Sequence, residues 1–128
     1  MKKNILIIED DEIIRENLAE LLQLEGFNVI TADCGTAAIS LAQSQSPDLI
    51  ICDIMMPGMD GFDVLNNLRK NKLTYQIPFF FSTSHSQNQE VQKARAFGVQ
   101  NYLIKPFDRH ELMNCVEKCF LEYNDQIM

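Results

Sequence analysis

LIICDIMMPGMDGF, residues 49–62, decides how this chain is read. Four apolar residues with the character of a strand buried on both faces run directly into Asp53. Pro57-Gly58 and Asp60-Gly61 then break the chain before a new helical pattern begins. A charge at the end of a buried strand needs a partner or a purpose, because removing a carboxylate from water is expensive.

Outward from that stretch, short apolar runs alternate with longer segments of helical period. The strands read as residues 4–8 (NILII), 28–32 (NVITA), 48–52 (DLIIC), 78–82 (PFFFS) and 101–104 (NYLI). Between them, residues 11–26 carry Ile13, Ile14, Leu18, Leu21 and Leu22 at three- and four-residue spacings and stop at Gly26, a C-terminal cap. Further helices are expected over 36–45, 62–72, 90–97 and from Asp108, an N-cap, to about 123. Asp60 reads as a turn residue. Strand and helix in alternation predict an α/β fold, a doubly wound five-stranded parallel sheet with helices on both faces. Right-handed crossovers leave few topologies, and the flavodoxin-like order 2-1-3-4-5 is the expected one.

With 128 residues, 46% hydrophobic and 23% charged, the chain suits one domain, expected to span 1–128. A formal charge of −7 without clustered Lys or Arg argues against a nucleic-acid surface. Cys34, Cys52, Cys115 and Cys119 form no CxxC pair, and His85 and His110 lie outside any zinc spacing. No stretch is long enough to span a membrane, and the opening apolar run breaks into Glu9, Asp10 and Asp11 too soon for a secretion signal. A cytoplasmic protein with reduced thiols is expected.

Ligands of such sheets bind outside the carboxyl ends of the strands. There the first strand delivers Glu9, Asp10 and Asp11, the third Asp53, the fourth Thr83 and Ser84, and the fifth Lys105. Each has an ordinary reading alone: a helix cap, a turn, a solvated cation. Together they converge on one crevice. Carboxylates from adjacent strands repel, so a proton or a cation must balance them. Oxygen donors without His or Cys select a hard ion, and Mg2+ suits a site that awaits a phosphate. A carboxylate there can attack phosphorus and form an acyl phosphate, which places Asp53 as the nucleophile.

ILIIEDDEIIR, PDLIICDIMMPGMDGFDVL, IPFFFSTS and NYLIKPF resemble, in that order and over essentially the whole chain, the receiver domain of two-component response regulators. The resemblance implies that Asp53 accepts a phosphoryl group from a histidine kinase or histidine phosphotransfer protein. Asp10, Asp53 and the backbone carbonyl of Met55 would hold Mg2+, with Glu9 acting through water. Thr83 and Lys105 would contact the phosphoryl oxygens, Lys105-Pro106 would be cis, and Asp11 would only begin the first helix. Tyr102 matches the family's switch aromatic, which turns inward with Thr83. The fourth helix, fifth strand and fifth helix would present the altered surface to a downstream protein or effector domain.

Several positions depart from the family pattern. Ser84 stands where Ala or Gly is usual after the switch hydroxyl, and Met55 and His85 occupy positions that tune water access to the acyl phosphate. Met cannot orient water, so slow self-dephosphorylation is expected. GVQNY, residues 98–102, and Cys115 replace the salt-bridging residues of the winged-helix transcription-factor class. PFFF, residues 78–81, reads as core packing. A haloacid-dehalogenase phosphatase would need an acid at Met55, and a flavodoxin would not place EDDEI after its first strand. The alternative is a pseudo-receiver that binds partners without being phosphorylated.

Overall fold

The computed structural model describes residues 2–84, 88–99 and 101–127. Strands β1 (Asn4–Ile8), β2 (Asn28–Ala32), β3 (Leu49–Asp53), β4 (Phe79–Thr83) and β5 (Tyr102–Ile104) alternate with helices α1 (Glu12–Leu24), α2 (Gly35–Gln45), α3 (Gly61–Arg69), α4 (Asn88–Ala96) and α5 (Arg109–Ile127). All strand pairs are parallel and the order is β2-β1-β3-β4-β5, as the alternation of patterns predicts.

Side chains of a strand alternate between faces, and two cores follow from that alternation. Leu6, Ile8, Ile50, Cys52, Phe79 and Phe81 face α2, α3 and α4 through Ala38, Ala42, Val64, Leu65 and Ala94. Ile5, Ile7, Leu49, Ile51, Phe80 and Leu103 face α1 and α5 through Leu18, Leu22, Leu112 and Val116. Strands this apolar are stable only when covered on both sides, and each fully buried Ile, Leu or Phe contributes about 1.5–3 kcal/mol. The PFFF run is core packing as expected: Phe79, Phe80 and Phe81 are all buried.

The helix ends are set by side chains that replace missing backbone partners. Asp11 caps α1 by accepting the N–H of Ile14 at 3.0 Å. At the other end Gly26, at φ +96, lets Phe27 N–H reach Leu22 O and its own N–H reach Gln23 O. Asp60 is more than a turn residue. It caps α3 in a reciprocal box with Asp63, each side chain accepting the other's N–H at 2.9 and 3.0 Å. Asp108 and Glu111 do the same for α5, which runs beyond the expected end near 123.

Several boundaries differ from the sequence reading. β3 and β4 each sit one residue further along than expected, excluding Asp48 and Pro78 and taking in Asp53 and Thr83. Apolar periodicity stops at the last core residue, but the backbone ladder does not: Ile54 N–H still donates to Ser82 O and Lys105 N–H to Thr83 O. β5 likewise begins at Tyr102 rather than Asn101. α3 ends at Arg69, short of Lys72, because the Thr74 hydroxyl takes the Leu68 carbonyl at 2.7 Å and Asn71 opens a separate turn. α4 begins at Asn88 and ends at Ala96. Ile13, expected on the buried stripe of α1, is 70% exposed, since the stripe runs through Ile14, Leu18 and Leu22, about 100° around the helix.

Candidate functional site at the carboxyl edge of the sheet

β1 and β3 are neighbours in register, Ile8 opposite Cys52, so the residues that follow them meet. Carboxylate oxygens of Glu9, Asp10 and Asp53 lie within 4.8 Å of one another. Asp10 is exposed, whereas Glu9 and Asp53 are buried. This acidic cluster is compatible with a Mg2+ site: its donors are all oxygens, one remains open to solvent, and among the described residues no His or Cys joins it. Lys105, carried in from β5, ion-pairs with Glu9 Oε1, and its Nζ lies 3.3 Å from Asp53 Oδ1. The peptide bond from Lys105 to Pro106 is cis.

Glu9 shows the electrostatic balance of the crevice. Burial, at 3% exposure, pushes its carboxyl up to about 7, and the charge of Asp53 pushes the same way. The Lys105 hydrogen bond and ion pair pull it back, helped by the Asp11 N–H, which donates to Glu9 Oε2 at 3.2 Å. Behind Asp53, the Cys52 thiol is raised well above its ordinary value, first by burial and then by the carboxylate beside it. Cys52 is therefore a core thiol, its Sγ 3.2 Å from the Asp53 carbonyl.

The loop after β3 is held by its two ends. Ile54 is buried, and Gly61 N–H returns to donate to Ile54 O at 2.9 Å, so the start of α3 packs against the end of the strand that carries Asp53. Met55 projects between these points and is 56% exposed. A cavity of about 670 Å³ opens over the cluster, lined by Asp53, Met55, Ser84 and Lys105 together with the apolar Ile14 and Phe107.

Thr83 ends β4 fully buried. Tyr102 is half-buried and packs against the core beneath α2, α3 and α4. Cys119 is buried in the core and Cys115 is half-buried on α5, as packing positions. His85 and Gln100 lie outside the described residues. One contributor goes unnoticed in the sequence: Arg15, in the first turn of α1, donates to the Glu9 carbonyl at 2.9 Å and ties down the acidic loop. A cation three residues beyond four consecutive acids, Glu9 to Glu12, was the available clue.

Among the described residues no helix is long and apolar enough to cross a membrane. The chain is similar to curated proteins about twice its length: a probable transcriptional regulator, ycf29, of Pyropia yezoensis, 37% identical over 91% of this chain and 52% of that protein, and the transcriptional regulatory protein PdtaR of Mycobacterium tuberculosis (strain CDC 1551 / Oshkosh), 36% identical over 90% and 55%. It thus spans about half the length of the curated relatives it matches. Among solved structures, chemotaxis protein CheY4 of Vibrio cholerae superposes with a TM-score of 0.88 at 28% identity, covering 93% of this chain and 99% of that one. The response regulator receiver domain family matches residues 5–117. A match that begins in β1, ends in α5 and encloses every strand-end residue of the crevice shows that the chain belongs to this family, the CheY-like phosphorelay modules of two-component signalling.

Proposed function

We propose that residues 1–128 act as one receiver unit in which Asp53 accepts a phosphoryl group from a phosphohistidine of a histidine kinase or histidine phosphotransfer protein. The observation that carries this reading is the placement of Lys105 Nζ 3.3 Å from Asp53 Oδ1, beside a cluster of three carboxylates. An Asp53 oxygen forms the new bond to phosphorus while the phosphorus–nitrogen bond breaks and its electron pair returns to the imidazole. Asp10, Asp53 and the Met55 carbonyl would hold Mg2+, with Glu9 behind them. When bound, the ion neutralises charge on the transferring phosphoryl oxygens. Lys105 supplies the second positive charge 3.3 Å from Asp53 Oδ1, while Ile14 and Phe107 give the cavity an apolar part of its lining.

The acyl phosphate adds charge and acceptor oxygens beside Thr83. Thr83 turns toward them, Tyr102 follows into the adjacent core, and the surface of α4, β5 and α5 changes its population of states. That surface meets a downstream protein or an effector domain, in the cytoplasm. Met55, Ser84 and His85 set how fast the group is lost.

The test is direct: incubate the chain with Mg2+ and a small acyl-phosphate donor and measure intact mass. A gain of one phosphoryl group, stable to acid, labile to base and absent from Asp53→Asn, is expected. Uptake by Asp53→Asn refutes the site, and a wild type that takes up nothing from donor or kinase makes the chain a phosphorylation-independent binding module.

A further inference from the structure

Ser82 places a hydroxyl where the fold has no use for one. It is 2% exposed in β4, directly after three buried phenylalanines, and its Oγ has no hydrogen-bond partner among the described residues. A buried hydroxyl left unpaired costs its desolvation with nothing in return, so an apolar side chain would serve stability better. Its backbone carbonyl is already engaged by Ile54 N–H at 3.3 Å.

The register of the sheet shows what this hydroxyl adjoins. Ser82 is the partner of Asp53 across β3 and β4, and of Leu103 across β4 and β5. Two residues earlier, Ile51 and Phe80 both face the core under α1 and α5, so alternation puts Asp53 and Ser82 on that same face. Lys105, two residues after Leu103, returns to it as well. Neighbouring strands lie about 4.8 Å apart, which brings a serine hydroxyl rotating about χ1 within reach of the carboxyl beside it, directly or through one water.

We propose that the Ser82 hydroxyl serves the aspartyl phosphate: it donates to the Asp53 carboxyl oxygen that does not carry phosphorus, and so acts on the leaving group when the phosphoryl group departs. The inference rests on Asp53 being the phosphoacceptor. In hydrolysis a water oxygen bonds to phosphorus as the phosphorus–Oδ bond of Asp53 breaks. The bonding pair stays on Asp53, the carboxylate is regenerated, and the proton of the attacking water leaves with inorganic phosphate or to solvent. Negative charge grows over both Asp53 oxygens during that step. A donor held at the second oxygen stabilises the transition state more than the neutral ester carbonyl before it. Lys105 Nζ lies 3.3 Å from Asp53 Oδ1, and Ser82, the neighbour of Asp53 in the sheet, is the hydroxyl available to the other oxygen.

Ser82→Ala is the test, with Ser82→Thr as the variant that keeps the hydroxyl. Each chain is phosphorylated with Mg2+ and a small acyl-phosphate donor, freed of donor, and followed by loss of the phosphoryl mass. Thermal unfolding of the metal-free, unphosphorylated chains runs in parallel. Ser82→Ala is expected to lengthen the acyl-phosphate lifetime about 3- to 10-fold, the span of one neutral hydrogen bond. Its melting temperature should rise about 2–8 °C, and Ser82→Thr should return the lifetime to near wild type. A residue of purely structural importance would move the melting temperature and leave the lifetime alone. A Ser82→Ala lifetime equal to wild type, with uptake intact and lost in Asp53→Asn, overturns this inference and spares the phosphoacceptor reading. A wild type that takes up no phosphoryl group overturns both.

Discussion

Replacing Gly61 with alanine adds one methyl where α3 meets the end of β3. That carbon would stand 2.5 Å from the Asp53 carbonyl oxygen, 2.9 Å from Ile54 Cα and 3.1 Å from a Phe81 ring carbon. Two of these atoms are backbone, so no side chain can swing aside to admit it. Ordinary contact begins near 3.4 Å, and the helix and the strand end must therefore part by about 0.9 Å. The hydrogen bond from Gly61 N–H to Ile54 O, at 2.9 Å, stretches with them. Overpacking of this kind costs about 1–3 kcal/mol, and the better helix propensity of alanine offsets at most about 1 kcal/mol of it. The larger consequence is for chemistry, because Asp53 moves with its carbonyl while Lys105 is held on another strand. A displacement near 1 Å lowers rates by up to about 100-fold, and we expect phosphorylation by a small acyl-phosphate donor to fall about 10- to 100-fold. The assay is mass-detected uptake against time, with urea unfolding to confirm that the variant is folded. Gly26→Ala provides the contrast: at φ +96 with nothing within 4 Å, it suffers backbone strain of about 1–2 kcal/mol and should phosphorylate normally. A Gly61→Ala chain that phosphorylates at the wild-type rate, or one that slows no more than Gly26→Ala does, refutes the packing argument.

Met55→Asn puts an amide where an exposed thioether now flanks Asp53, giving the attacking water a hydrogen-bond partner; the acyl-phosphate lifetime should shorten about 3- to 10-fold, and an unchanged lifetime contradicts the expected timing role. Glu9 has its carboxyl raised from 4.5 to about 7 in the fold, so between these pH values the folded chain binds a proton that the unfolded chain lacks. Its contribution to stability is therefore present below pH 4.5 and lost as pH rises through about 7, and in chelator-treated protein Glu9→Gln should flatten the fall in urea midpoint across that window. Parallel profiles for the two chains would show that Glu9 is ionised throughout. Phe80→Ala empties a fully buried site between α1 and α5 and should cost about 3–5 kcal/mol, read as a lower urea midpoint at unchanged slope.

Most of the fold is visible in one dimension because its forces are local or periodic. Continuous apolar runs at β1, β3 and β4 mark strands covered on both faces, and Asp11, Gly26 and Asp108 mark helix ends through bonds that reach only a few residues. The site residues are visible for a related reason: in a parallel sheet with right-handed crossovers, every strand ends at the same edge, so order along the chain already brings Glu9, Asp53, Thr83 and Lys105 together. Boundaries were less legible. Asp53 and Thr83 belong to their strands because a neighbouring backbone continues the ladder beside them, and hydrogen bonds to another strand leave no trace in local hydropathy.

Sequence alone thus determined the parallel α/β architecture, the strand order and the members of the acidic crevice, since hydrophobic periodicity and chain connectivity dictate all three. Tertiary structure alone decided how those members share charge and space. Lys105 reaches both Glu9 and Asp53, Arg15 anchors the Glu9 carbonyl, Gly61 lies too close to Asp53 for any side chain, and the Ser82 hydroxyl, one strand away, has no partner among the described residues. Each of these is a distance of a few ångströms between residues from different elements. Such distances follow from how helices and strands settle against one another, and packing of that kind is a property of the folded whole.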